Sequence, residues 1–152
     1  MSSRTFIEPL RPLDKLLREA ADEDLQATAS FSAPSRRREA LAWRLLVRRN
    51  IGSDARIGYD EYGAPVIENY PLYISVSHSR CSVAVIISDR PCAIDIESRE
   101  RDFDKVLSRY LSPQEQALSA HPDFRAVAWC AKECLYKYHR RGGLDLLRDL
   151  HI

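Results

Sequence analysis

At 152 residues the chain has room for one domain, or for two small lobes sharing a core. Apolar residues make up 45% and charged residues 30%, the balance of an ordinary soluble globular protein. The formal net charge of +1 provides no global field for nucleic acid, and the longest apolar runs are strand-sized, so neither a membrane span nor a signal peptide is expected.

Residues 9–29 read as helical, with an early break at Pro12; Leu13, Leu16, Leu17, Ala20 and Ala21 recur at helix spacing. A polar break at 30–35 follows, with Ser35 as the expected N-cap of a helix over 36–50. That helix carries an apolar face of Leu41, Leu45 and Leu46 and a basic set of Arg36, Arg37, Arg38, Arg44, Arg48 and Arg49, and Gly52 lies just past its end. A β-rich stretch comes next: a short strand at 56–59, a turn at 60–65, alternation over 72–78, a buried-type strand at 83–87, a turn at 88–91 and alternation again over 92–97. The remainder reads as helices over 102–110, from Ser112-Pro113 onward, and over 123–140, the last ended by Gly142-Gly143. The four cysteines, Cys81, Cys92, Cys130 and Cys134, form no CxxC pair and read as reduced thiols of a cytoplasmic protein.

Two patterns carry chemistry. Asp95 and Glu97 stand two apart on an expected strand, so both carboxylates share a face, with Cα atoms about 6–7 Å apart. Like charges so placed repel unless a cation sits between them, and oxygen-only ligands favour a hard ion such as Mg²⁺. Alone, the pair reads as the solvated edge of a half-buried strand. The second pattern runs from Trp129 to Lys137, where Trp129, Glu133 and Lys137 share one helix face. Alone it reads as an aromatic anchor beside a Glu–Lys surface pair. Both occur in order, after Ser75-Val76-Ser77-His78-Ser79.

Together these segments resemble the 4′-phosphopantetheinyl transferases of the surfactin-synthetase-activating type. Residues 92–97 resemble that family's apolar-G-apolar-D strand, and Trp129 to Lys137 matches W-x-x-K-E-x-x-x-K at every defined position. Ser75 to Ser79 is similar to N-x-S-H-S, and Tyr62-Gly63-Ala64-Pro65 to the G-K-P turn. The resemblance implies an α+β fold of two pseudo-related α/β lobes, about 1–87 and about 88–152, with the coenzyme between them. It implies transfer of 4′-phosphopantetheine from coenzyme A to a serine of an apo acyl or peptidyl carrier protein, releasing 3′,5′-ADP. Asp95, Glu97 and Glu133 would hold Mg²⁺. Glu133 would take the serine proton, directly or through water, and Lys137 would support the leaving phosphate. His78, Lys132 and one of Arg36, Arg37 or Arg38 would bind the coenzyme.

Ala93, Ala64 and Ser75 stand where the family has glycine, lysine and asparagine. The second lobe reads as incomplete, short of the strands that close it, which leaves an edge open to homo-oligomer formation. Two competing readings stay open: a non-catalytic relative that binds coenzyme A or a carrier protein, and a nucleic-acid module built on the basic helix, which the near-zero net charge disfavours.

Overall fold

The computed structural model describes residues 3–140 and 142–152. It is a mixed α/β structure whose centre is a three-stranded antiparallel sheet. In chain order come β1 (Arg4–Pro9), α1 (Leu13–Glu19), α2 (Asp22–Ala27), α3 (Pro34–Ile51), β2 (Ile57–Tyr59), β3 (Pro65–Ile67), β4 (Tyr73–His78) and β5 (Ser82–Ser88). A 3₁₀ segment (Asp104–Arg109), α4 (Pro113–Gln116) and α5 (Phe124–His139) complete it.

The alternation over 72–78 sets the sheet. Ile74 and Val76 of β4 pair with Ile87 and Val85 of β5, and these four pack in the cluster beneath α3. Leu41, Leu45 and Leu46 of α3 close the same core, each contributing about 2 kcal/mol by burial. The opposite face of β4 carries Ser75 and Ser77. β5 lies in the middle of the order β1-β5-β4. β1 is not foreseen from the sequence: its burial is slight, and it forms by pairing Phe6 with Val85 rather than from a strong pattern of its own.

Several expected boundaries move. The helix expected over 9–29 is two short helices, because Ala20 and Ala21 are extended (ψ 142° and 153°). α3 starts at Pro34 behind Ala33, so Ser35 lies inside the first turn; proline's fixed φ suits that position and no side chain caps it. The basic set on α3 is not one free face. Arg44 and Arg48 are buried on Asp24 of α2, at 2.9 and 2.7 Å, and Arg49 pairs with Glu8.

The second half differs most from expectation. Residues 92–97 run beside β4 but join no sheet. Their backbone is held instead by side chains of β4: Ile94 N–H donates to Ser75 Oγ at 3.2 Å and Ile96 N–H to Ser77 Oγ at 3.1 Å. For these two N–H groups a hydroxyl thus takes the place that a strand carbonyl would fill. The helix expected over 102–110 is the 3₁₀ segment. α4 begins as expected, with a complete capping box between Ser112 and Glu115, yet runs only four residues. α5 matches its expected span. Phe103, Tyr110, Leu111 and Ala128 form a second core, separate from the one beneath α3 and joined by Trp129 and Leu146. Among the described residues, 89–152 contain no strand. No helix among them is long and apolar enough to cross a membrane.

Candidate active site

β4, the 92–97 segment and α5 converge on Asp95. Its Oδ1 accepts from Ser77 Oγ at 2.8 Å and from Lys137 Nζ at 2.7 Å. Lys137 also donates to the backbone oxygen of Ile94 at 3.0 Å and reaches that of Val76 at 3.5 Å. The Asp95 side chain is 8% exposed, and its Oδ2 is buried with no hydrogen-bond partner. A buried carboxylate oxygen left in that state is costly unless a cation or donor meets it.

Glu97 pairs with Arg101, whose guanidinium lies 4.3 Å from the Trp129 ring centroid. Trp129 in turn meets Tyr110 edge-on at 5.1 Å. It is therefore an anchor that orients α5 and, through Arg101, Glu97. Glu133 is half-buried; burial first, then the nearby Asp95 charge, raises its carboxyl above the usual value, against the pull of Lys137 and Arg101. The expected metal set of Asp95, Glu97 and Glu133 is not gathered: among the described residues, no group of three or more His, Cys, Asp or Glu side chains is placed to hold an ion. The physical reason is local pairing, since Lys137 draws Asp95 and Arg101 draws Glu97. The donor chemistry still suits a divalent cation. All three groups are carboxylates, Asp95 Oδ2 lacks a partner, and the charges of Asp95 and Glu97 both push the Glu133 carboxyl up.

Asp95 and Lys137 form one wall of a cleft of about 470 Å³, with Arg36 and His78 also lining it and Trp43 and Tyr59 at its side. Arg36 is the one of the three candidate arginines that lines this cleft; Arg37 and Arg38 each have a buried Nε without a partner. His78 Nε2 stands 3.5 Å from Glu39 Oε2. A second cavity of about 260 Å³ shares Gly63, Pro65, Val76 and Lys137 with the first and is more apolar, bounded by Ile74, Cys92 and Tyr136. Gly63 takes φ 80°, which lets the 60–65 turn close between the two.

Residues 91–152 match the sequence model of the 4′-phosphopantetheinyl transferase superfamily. The matched region is less than half of the chain and contains Asp95, Glu97, Lys132, Glu133 and Lys137; Arg36, Arg37, Arg38 and His78 lie outside it. A search of curated proteins found no match.

Within the region matched to the transferase superfamily, one expected ligand contact is placed elsewhere. Lys132, expected against the coenzyme, is fully buried and donates to Glu115 at 2.8 Å and to the backbone oxygen of Leu146 at 3.0 Å. One residue earlier than Glu133 on the helix, it faces the second core instead of the cleft. Burial opposes ionisation of Glu115, yet Lys132 and the N–H groups of Ser112 and Ile152 hold its carboxyl down at about 2. Ser77 is the site residue that sequence reasoning missed as a positioning group; the signal was available in two serines on one strand face.

The thiols near Asp95 are held protonated. Burial, then the Asp95 charge, pushes Cys130 up to about 12, and the same two causes raise Cys134. All four cysteines are free.

Proposed function

We propose that this protein transfers the 4′-phosphopantetheine arm of coenzyme A to a serine hydroxyl of a small acidic carrier protein, as the surfactin-synthetase-activating type of transferase does. The superfamily match supports phosphopantetheinyl transfer as the general chemistry. The observation that carries the finer reading is the convergence of Lys137 and Ser77 on Asp95, beside its unpartnered Oδ2, in a cleft that also holds Arg36 and His78.

In this reading Arg36 and His78 bind phosphate oxygens of the coenzyme, a role that suits a guanidinium fork. The adjoining apolar cavity takes an uncharged part of the ligand. Asp95, Glu97 and Glu133 would hold Mg²⁺, which when bound neutralises charge on the pyrophosphate. Glu133 accepts the proton of the attacking serine; its raised carboxyl moves it toward the range of a general base. The new bond forms between the serine oxygen and the β-phosphorus, the bond to the departing 3′,5′-ADP breaks, and Lys137 steadies the charge that leaves. The two separate cores support a division into two lobes near residue 88, and four free cysteines accord with a cytoplasmic setting.

One observation favours a second reading, a non-catalytic binder of coenzyme A: the three carboxylates are not gathered on a common point. Release of 3′,5′-ADP, followed by chromatography in the presence of coenzyme A, Mg²⁺ and an apo carrier protein, separates the two. The transferase releases it only with the carrier present, and EDTA or Glu133→Gln stops it. Coenzyme binding with no release in any arm assigns the second reading.

A further inference from the structure

Arg140 ends α5 in the left-handed conformation, φ 51° and ψ 24°, the only non-glycine residue with positive φ among those described. Glycine takes this helix-ending position freely, whereas a side chain there is strained. The chain has glycines at 142 and 143, yet arginine occupies the strained position. Its side chain lies against β4, an edge strand of the sheet.

The contacts it makes there are weak. Nη2 donates to the Ile74 backbone oxygen at 3.4 Å, the guanidinium carbon stands 5.5 Å from the Tyr73 ring centroid, and Nη1 is 3.9 Å from Asp60 Oδ2. Asp60 spends its other oxygen on the turn, accepting from the N–H groups of Tyr62 and Ala64 at 2.9 Å each. Several N–H groups of a five-donor fork therefore remain for a ligand. Arg140 lines the 260 Å³ cavity together with Lys137, one helical turn earlier, and with the 63–65 turn, whose Ala64 presents no charge.

We infer that Arg140 is a ligand-binding residue, and that its guanidinium takes a phosphate group of the phosphate-bearing co-substrate at the mouth of the smaller cavity. This rests on the proposed function and adds a cation that the resemblance does not assign. Lys137 on the same cavity is already paired with Asp95, so Arg140 is the cation there that, among the described residues, lacks a close carboxylate partner. The distant, part-exposed Asp60 neutralises Arg140 only weakly, so an anion arriving there gains a charge-assisted fork.

The test is a calorimetric titration of coenzyme A into the full chain with Mg²⁺, comparing the unmodified protein with Arg140→Gly and Arg140→Lys. Arg140→Gly relieves the left-handed strain, and thermal melting without ligand verifies that it folds. The inference expects the dissociation constant to rise about tenfold in Arg140→Gly, with a shallower salt dependence, and by less in Arg140→Lys, which keeps the charge and loses the fork. Arg140→Gly binding within twofold of the unmodified chain overturns this inference alone. An unmodified chain that does not bind coenzyme A overturns the proposed function and this inference with it.

Discussion

Replacing Lys132 by methionine removes the ammonium from a buried pair and keeps most of its volume. Lys132 is 0% exposed at its side chain and Glu115 is 7% exposed, with Nζ and Oε1 2.8 Å apart. Glu115 is left buried without a cation, with the N–H groups of Ser112 and Ile152 still donating to it at 2.8 and 3.2 Å. Breaking a buried pair from one side costs about 3–5 kcal/mol. The ionisation of Glu115 points the same way: against the cost of burial, Lys132, Ser112 and Ile152 together hold its carboxyl down at about 2. The sign follows from the lowered value. This stabilisation is fully present above about pH 4.5 and is lost as pH falls through about 2. Urea unfolding at pH 7 should show Lys132→Met destabilised by about 3 kcal/mol, and acid unfolding should begin at higher pH than in the unmodified chain. Adding Glu115→Gln should recover much of the loss, since the stranded charge is gone. A loss below about 1 kcal/mol, together with weakened coenzyme binding, would refute the reasoning and return Lys132 to the ligand-contact role its motif position implies.

The two serines of β4 separate structure from chemistry. Ser75→Ala and Ser77→Ala each leave one N–H of the 92–97 segment without its acceptor, costing about 1–2 kcal/mol in urea unfolding, but only Ser77→Ala removes one of the two donors that position Asp95, so only it should slow transfer, by about tenfold; equal turnover in both variants contradicts the positioning role. The cysteines should react unequally with a thiol reagent at pH 8. Cys81 is exposed, whereas burial raises Cys92, Cys130 and Cys134, so one fast phase should appear and vanish in Cys81→Ser. A fast phase persisting in Cys81→Ser would contradict the suppression of Cys92, Cys130 and Cys134.

Where local pattern and tertiary packing agree, the sequence was readable. The alternation of β4, the apolar run of β5, the caps of α4 and the Trp129–Lys137 periodicity all appear close to where the sequence puts them. β1 escaped notice because an exposed edge strand needs only a partner, which is β5. Residues 92–97 have strand alternation, but side-chain hydroxyls take two of their N–H groups, a solution that no period reveals. Spacing put Glu133 and Lys137 on one side of α5, and it is on that side that Lys137 meets Asp95. It could not show that Lys132, a residue earlier, finds Glu115 across a second core, because that contact depends on where α4 stops. Similarly, six arginines on one helix read alike until Asp24 and Glu8 take three of them, leaving Arg36 to line the cleft.

The central claim is a covalent transfer, and the mass of the acceptor reports it most directly. The purified chain is incubated with coenzyme A, Mg²⁺ and an apo carrier protein, and the carrier is measured by intact-mass spectrometry. The account expects the carrier to gain one phosphopantetheine and to gain none when its acceptor serine is replaced by alanine. A carrier of unchanged mass, across several apo carriers and with coenzyme A shown to be bound, would contradict it.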